Sequence, residues 1–339
     1  MNREALIAAF LARHGYASAR RAPLAPDASF RRYVRLAGGP RPAVLMDAPP
    51  PEDVGRFLRI AGHIAGIGLS APAIIAADEA NGLVLEEDLG DAPALGSQAA
   101  FSASVEAAAD SSLAAPAVVI ATLVALQRAA PSPDLPLWNP AAMAQAALET
   151  LLDWWWPAAF HANAPSAARA DFGTALAAML HPLAGGPRCL VHRDFFAGNL
   201  MWLPQRAGLR RVGILDFQSA ALGHPAYDLV SLLQDARQDA APDAEAPALA
   251  HYLALRPELD PDAFRSAYAI CAAQRHLRVA CQWVRLAVRD RRPHYLAHGP
   301  RTWRLLAAAL RYPAAAPLAA AMDRWIPPAR RGNPQDLAA

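Results

Sequence analysis

Between about residues 24 and 90 the apolar positions fall into short runs broken by turn residues, which predicts a strand-rich region. Tyr33–Leu36 and Ala43–Met46 read as strands joined through Gly38-Gly39-Pro40-Arg41-Pro42. Ile74-Ile75 and Leu83-Val84-Leu85 flank Asn81-Gly82, a dipeptide suited to a tight hairpin turn. Two stretches switch to helical spacing. Leu6, Ile7, Phe10 and Leu11 share one face of an N-terminal helix, and Val54, Phe57, Leu58, Ala61, Ile64 and Ala65 line another over Glu52–Ile67, after Pro49-Pro50-Pro51.

From about Ala99 the pattern is helical. Phe264, Tyr268 and Cys271 open a long amphipathic helix behind an Asp262 cap, and Trp303–Leu310 predicts a further helix. Strand-like Cys189-Leu190-Val191 and Val212–Leu215, separated by a polar turn, interrupt the helices. Ala240–Pro247 and Pro313–Ala321 read as a loop and a loosely structured connection. No internal repeat is present. The expected class is α+β, with a small β-rich lobe over 1–90 (N-terminal helix, antiparallel sheet, one helix) and a larger, mostly helical lobe over 91–339.

Composition narrows the chemistry. With 32 basic against 30 acidic side chains among 339 residues, the chain lacks the cation excess that a nucleic-acid binder needs. Every basic residue is Arg. That excludes a P-loop lysine, a lysine Schiff base and an ordinary Val-Ala-x-Lys kinase strand. Cys189, Cys271 and Cys281 are odd in number and lack metal-ligand spacing, so buried free thiols are expected. The longest apolar stretch, Leu113–Leu126, is 14 residues with Pro116 inside, short of the roughly 20 that span a bilayer. Ala17-Ser18-Ala19 resembles a cleavage site, but Glu4 before the apolar run and Arg13-His14 after it oppose a signal peptide. A cytoplasmic chain without membrane or nucleic-acid partners is the expectation.

The strongest chemical signal is His192-Arg193-Asp194-Phe195-Phe196-Ala197-Gly198-Asn199, followed by Gly213-Ile214-Leu215-Asp216-Phe217. Phosphoryl transfer needs a carboxylate to orient the attacking hydroxyl and take its proton, and oxygen ligands to hold Mg²⁺ on the nucleotide phosphates. Asp194 supplies the first. Asn199, five residues on, and Asp216, seventeen residues beyond that, supply the second if a hairpin through Leu203–Arg211 brings them together. Each residue alone is ordinary as a turn, cap or strand end, but their order and spacing together match the kinase template.

The sequence resembles the aminoglycoside phosphotransferase family of small-molecule kinases, which have a bilobal protein-kinase-like fold. Within that family it is similar to the bacterial anomeric kinases of N-acetylmuramate and N-acetylglucosamine used in peptidoglycan recycling. Besides the catalytic loop, the likeness rests on Asp27-Ala28-Ser29-Phe30-Arg31-Arg32-Tyr33, Val44-Leu45-Met46-Asp47-Ala48-Pro49-Pro50, Glu87-Asp88-Leu89-Gly90-Asp91 and Ala226-Tyr227-Asp228-Leu229. It implies ATP and Mg²⁺ as cofactors, a small-molecule sugar as acceptor, Asp194 as base, and Asn199 and Asp216 as metal ligands. Backbone groups near Glu86–Leu89, including Glu87 and Leu89, would take the adenine, while Tyr227 and Asp228 would brace the catalytic loop.

Met46 stands where the kinase lysine would sit, and the nearest basic substitutes for the phosphate cation are Arg31 and Arg32. Neighbours on a strand point to opposite faces, and only one of the two can serve. The Ser29 hydroxyl and nearby turn amides could cradle phosphate oxygens. Protein-kinase activity does not fit, since the first lobe has no G-x-G-x-x-G loop, and Asp216-Phe217-Gln218 runs into Gly223-His224-Pro225 without room for an activation segment.

For the acceptor, Ala263–Met322 holds ten arginines and a single acid, Asp290. That balance suits a neutral or carboxylate-bearing sugar better than a polycation. In Trp154-Trp155-Trp156 neighbours are about 100° apart on a helix, so not all can face one core, and Trp155 is a candidate for stacking on sugar. His192, Arg193, Phe195 and Gln218 are further substrate candidates, with His161, Phe196 and His224 behind them. Two rival readings share the catalytic loop: a kinase for another small alcohol, aminoglycoside- or choline-like, and a nucleotide-binding pseudokinase.

Overall fold

The computed structural model describes residues 2–24, 31–95, 115–132, 134–238 and 244–337. Two compact units emerge, one of 1–95 with 198–219, the other of 96–197 with 220–339. The polypeptide thus leaves the first unit, builds part of the second, returns for a short hairpin over 198–219, and then completes the second.

In the first unit, α1 (Arg3–Arg13) and α2 (Val54–Gly66) accompany an antiparallel sheet of β1 (Arg20–Pro23), β2 (Arg32–Ala37), β3 (Ala43–Asp47), β4 (Ile74–Asp78) and β5 (Leu83–Glu87). The spatial order is β1-β2-β3-β5-β4. Ile7, Phe10 and Leu11 of α1 bury against Leu36, Leu45 and Leu85 of the sheet, each worth about 1.5–3 kcal/mol on burial. Asn81-Gly82 makes the β4–β5 turn, with Gly82 at φ +64°; a Cβ there would come within 2.1 Å of the Ala48 carbonyl oxygen, so only glycine fits. The Asp53 side chain caps α2 by accepting the Arg56 N–H at 2.8 Å. β1 had no forecast from sequence, because Arg20-Arg21-Ala22-Pro23 is exposed throughout and shows no alternation.

Five short strands follow: β6 (Leu137–Trp138), β7 (Cys189–Val191), β8 (Leu200–Trp202), β9 (Val212–Ile214) and β10 (Ala221–Gly223). β8 and β9 form the returning hairpin of the first unit, registering Leu200 with Ile214. β10 lies between β6 and β7 in the second unit. Among the described residues the remaining α-helices are α3 (Ala115–Arg128), α4 (Pro140–Leu148), α5 (Trp156–Phe160), α6 (Ser166–Leu180), α7 (Ala226–Leu233), α8 (Glu245–Ala254), α9 (Pro261–Val288), α10 (Gly299–Ala309) and α11 (Ala316–Trp325), with a π-helical turn over Glu149–Trp155. The 28-residue α9 is the axis of the second unit, packing against α7, α10 and the π turn.

Three expectations change. The cap of α9 is Asp260, which accepts the Ala263 N–H at 2.7 Å; Asp262 lies inside the first turn and pairs with Arg265. Pro313–Ala321 is not loose, because Pro317 sits in the first turn of α11, where it costs no hydrogen bond, and alanine carries the helix on. Ala240–Pro247 is a loop only in part, since α8 starts at Glu245; residues 240–243 lie outside the described residues. Among the described residues no single helix is long and apolar enough to cross a membrane, and Cys189, Cys271 and Cys281 are buried free thiols.

Candidate active site

In the first unit, one hydrogen bond sets the spacing of the two proposed metal ligands. The Leu215 N–H donates to the Asn199 carbonyl at 2.9 Å, extending the β8–β9 ladder by one rung. Asp216, the next residue, therefore leaves the hairpin beside Asn199. The hairpin is tied down on both flanks: Ile214 N–H reaches the Ser70 carbonyl at 2.7 Å, and Ala94 N–H reaches that of Leu200 at 2.7 Å. Phe217 stacks on Phe57 of α2, centroids 4.9 Å apart. Gly213 permits the close approach of Leu89, whose Cδ1 would lie 2.7 Å from an added Cβ. Asp216 is held at φ +56°, a left-handed conformation that an L-residue adopts at some cost. Gln218 Nε2 donates to Asp216 Oδ1 at 2.5 Å, while its Oε1 is buried without a partner.

A cavity of about 420 Å³ opens beside this pair, lined wholly by residues of the first unit. Val44, Phe57, Pro72, Leu89 and Met201 give apolar walls, and Tyr33, Glu86, Glu87, Asn199 and Asp216 add polar ones. Its size and mixed lining suit a nucleotide. Asn199 and Asp216 offer hard oxygen donors, and among the described residues no group of three His, Cys, Asp or Glu side chains could hold a metal. Two protein oxygens with the rest of the shell left to phosphate and water fits the habit of Mg²⁺.

Strand alternation separates the two arginines. Arg31 lies on the face of Tyr33 and Arg35, both of which line the cavity; it is 9% exposed and bonds Glu52 Oε2 through Nε at 2.8 Å, just ahead of α2. Its Nη1 is buried without a partner. Arg32 points to the other face and is corrected as a phosphate ligand, since it pairs with its cross-strand neighbour Asp47 at 2.9 Å and is mostly exposed. Ser29 lies outside the described residues. Glu87 lines the cavity and pairs with Arg206, and Leu89 packs with Met201, Leu203 and Leu215.

In the second unit, the loop bearing Asp194 is pinned by a residue that sequence reading placed only as a brace. Asp228, fully buried on α7, accepts the backbone N–H groups of His192 at 2.6 Å and Arg193 at 2.8 Å. Burial pushes its carboxyl up to about 6, against the pull of His192 and of those two N–H groups. Arg193 stands at φ +75°, and its guanidinium lies over the Trp138 ring at 3.8 Å. Asp194 is partly exposed. Desolvation would raise its carboxyl, but the guanidinium groups of Arg278, Arg275, Arg237 and Arg193 outweigh this and hold it below the usual range. It is therefore a carboxylate at neutral pH, as a general base must be.

Three substrate candidates are corrected. His192 is fully buried, and its Nδ1 accepts the Asp194 N–H at 3.3 Å, a positioning contact. Phe195 is fully buried with its ring edge-on to His192. Trp155 is a core residue, with Nε1 donating to the Gly332 carbonyl at 2.8 Å and the ring packed on Phe160 and Trp303; Trp154 is half-buried, the least buried member of the run. Gln218 belongs to the first unit, where it grips Asp216.

A two-unit α+β fold, a nucleotide-sized cavity beside paired oxygen ligands and an ionised aspartate on a braced loop define a kinase-type phosphotransferase. The solved structure of a choline/ethanolamine kinase family protein from Mesorhizobium loti has the same fold, with a TM-score of 0.62 over 95% of this chain and all of that one, at 16% identity. The chain belongs to the Phosphotransferase enzyme family (APH), whose sequence model matches residues 20–266. It is 36% identical to the N-acetylmuramate/N-acetylglucosamine kinase of Caulobacter vibrioides, covering 96% of this chain and 97% of that protein. Identity to the Pseudomonas aeruginosa protein of the same name is 33%, over 85% and 83%.

Proposed function

We propose that this chain transfers the γ-phosphoryl group of ATP to the anomeric hydroxyl of N-acetylmuramate or N-acetylglucosamine, giving the sugar 1-phosphate, in the cytoplasm as part of peptidoglycan recycling. The observation that carries the reading is the near-full-length likeness to two kinases named for these sugars, joined to the intact Asp194, Asn199 and Asp216 set. Arginine enrichment from Ala263 to Met322 favours such sugars over a polycationic aminoglycoside or a choline-like amine.

Asp194 orients the anomeric hydroxyl and takes its proton as the sugar oxygen bonds to the γ-phosphorus, while the bond to the β,γ-bridging oxygen breaks and ADP leaves with that electron pair. Asn199 and Asp216 would hold Mg²⁺, which neutralises charge on the phosphates. Arg31, fixed by Glu52, adds positive charge at the phosphate end of the cavity, and the Glu86–Leu89 segment borders the base. Positioning and preset charge account for the rate enhancement.

The test is ATP consumption with N-acetylmuramate, N-acetylglucosamine, glucose, kanamycin and choline, with the product linkage read by phosphorus NMR. A 1-phosphate formed from the N-acetyl sugars alone is the expected result. Turnover of kanamycin or choline in their place would overturn the acceptor assignment, and ATP binding without turnover of any acceptor would indicate a pseudokinase.

A further inference from the structure

Asp194 sits among more cationic charge than one catalytic carboxylate requires. Arg193, Arg237, Arg275 and Arg278 all act on it, and the acids nearby are Asp194 itself, Asp228 and Asp235. Asp228 is engaged with backbone N–H groups, and Asp235 Oδ1 accepts the Arg237 N–H at 2.8 Å. With Arg301, which acts on Asp235 and donates to its carbonyl at 2.7 Å, five guanidinium groups thus face three carboxylates in a largely desolvated region, and a buried excess of one sign calls for a counter-ion.

The arginines are built in rather than draped over the surface. Arg275 and Arg278 project from α9 one turn apart, 2% and 8% exposed. α7 grips both: Ser231 Oγ accepts from Arg275 Nη2 at 2.8 Å, and Tyr227 OH accepts from Arg278 Nη2 at 3.1 Å. Arg275 Nε and Nη1 and Arg278 Nε are buried without an acceptor. Arg237 is the more exposed arm. Its guanidinium lies 4.1 Å from the Phe196 ring centroid and 5.4 Å from that of Trp283, so the faces of the fork are against rings and its donor edge remains for an anion. A planar fork fixed in this way matches a carboxylate with two parallel hydrogen bonds.

We propose that Arg237, backed by the buried charges of Arg275 and Arg278, forms a carboxylate-binding subsite beside Asp194 that recognises the lactyl carboxylate of N-acetylmuramate. The proposal rests on the acceptor reading given above and deepens it. N-Acetylglucosamine fills the same sugar site but leaves the subsite without its counter-ion, so the acidic sugar is the preferred acceptor.

The test compares three acceptors on the wild-type chain and on Arg237→Met, which keeps an apolar stem against the rings and loses the donors: N-acetylmuramate, its lactyl amide and N-acetylglucosamine. Hydrogen bonds to a charged group are worth about 1.5–3 kcal/mol, so the wild type should show a KM for the acid about ten- to a hundredfold below that for the amide. In Arg237→Met that preference collapses, while kcat/KM for N-acetylglucosamine falls far less; Arg237→Lys restores part of the difference. Equal use of acid and amide by the wild type overturns the subsite and leaves the kinase reading standing. An equal loss on all three acceptors in Arg237→Met also overturns it, because a phosphate-binding or purely structural arginine would act in that way. No turnover of either sugar by the wild type overturns the acceptor reading and the subsite with it.

Discussion

The Asp228 carboxylate accepts the Arg193 backbone N–H at 2.8 Å, and that contact holds a non-glycine residue at φ +75° directly before Asp194. Left-handed backbone of this kind costs on the order of 1–3 kcal/mol and persists only where the surroundings over-determine it. Asp228 supplies the restraint from α7, and the His192 N–H at 2.6 Å doubles it. The placement of the Asp194 carboxylate, the proposed base, thus depends on a second, buried aspartate that need not touch substrate.

Asp228→Asn should lower kcat about ten- to a hundredfold, since one charge-assisted acceptor is lost and an amide NH2 meets a backbone N–H. The wild type should also lose activity below about pH 6, where Asp228 takes up its proton. Its native value lies above the ordinary 3.8, so the folded state binds more protons between those two values, and stability falls as pH rises through that window. The acid loss of activity is therefore not unfolding. Rate–pH profiles beside melting curves check this: the limb should vanish in Asp228→Asn, and a limb that tracked the melting temperature would refute the assignment.

Asp194→Asn should cut turnover by about 10²–10⁴-fold, the usual worth of a general base. Nucleotide affinity should hold, because the cavity is lined by residues of the other unit. Single-turnover kinetics with ATP titrated by calorimetry separates the two effects. A variant retaining near-normal kcat would remove Asp194 from the mechanism.

Arg31 and Glu52 form a pair that is 9% and 16% exposed. Glu52→Gln leaves a buried guanidinium less well compensated, at a cost on the order of 3 kcal/mol. A lower melting temperature and a raised KM for ATP are expected together, with the sugar KM unchanged. If Arg31 only staples β2 to α2, stability will fall and the ATP KM will not move.

Much of this was legible in the chain, and the exceptions share a cause. Ala43–Asp47, Leu83–Glu87 and the Asn81-Gly82 turn were readable because short apolar runs and a turn dipeptide are local signals. Asn199 and Asp216 were readable because a hairpin of fixed length joins them. What escaped depends on which way a face turns. Arg31 and Arg32 differ only in sheet face, settled by the partners Glu52 and Asp47. Trp155 looked like a sugar platform until Gly332, far along the chain, proved to hold its indole N–H. Arg275 and Arg278 were two of ten arginines in a segment, distinguished only by the packing of α9 on α7.

Glu86 gives the clearest pH signature. It lies on β5 between Val44 and Ile74, lines the cavity beside Asn199 and Asp216, is 5% exposed, and has an Oε2 with no partner. Burial pushes its carboxyl up to about 8, against the pull of Arg31. At neutral pH it is therefore protonated and adds no negative charge to the cavity proposed for the nucleotide. Between the ordinary value of 4.5 and about 8 the unfolded chain is ionised while the native one keeps its proton. Native stability should fall steadily with rising pH across that window and level off above it, by at most on the order of 5 kcal/mol. Glu86→Gln removes the titration, so urea unfolding should show the variant gaining on the wild type from pH 5 to pH 8.5. Parallel stability curves over that range would show that Glu86 is ionised in the native protein and that its charge is met within the cavity.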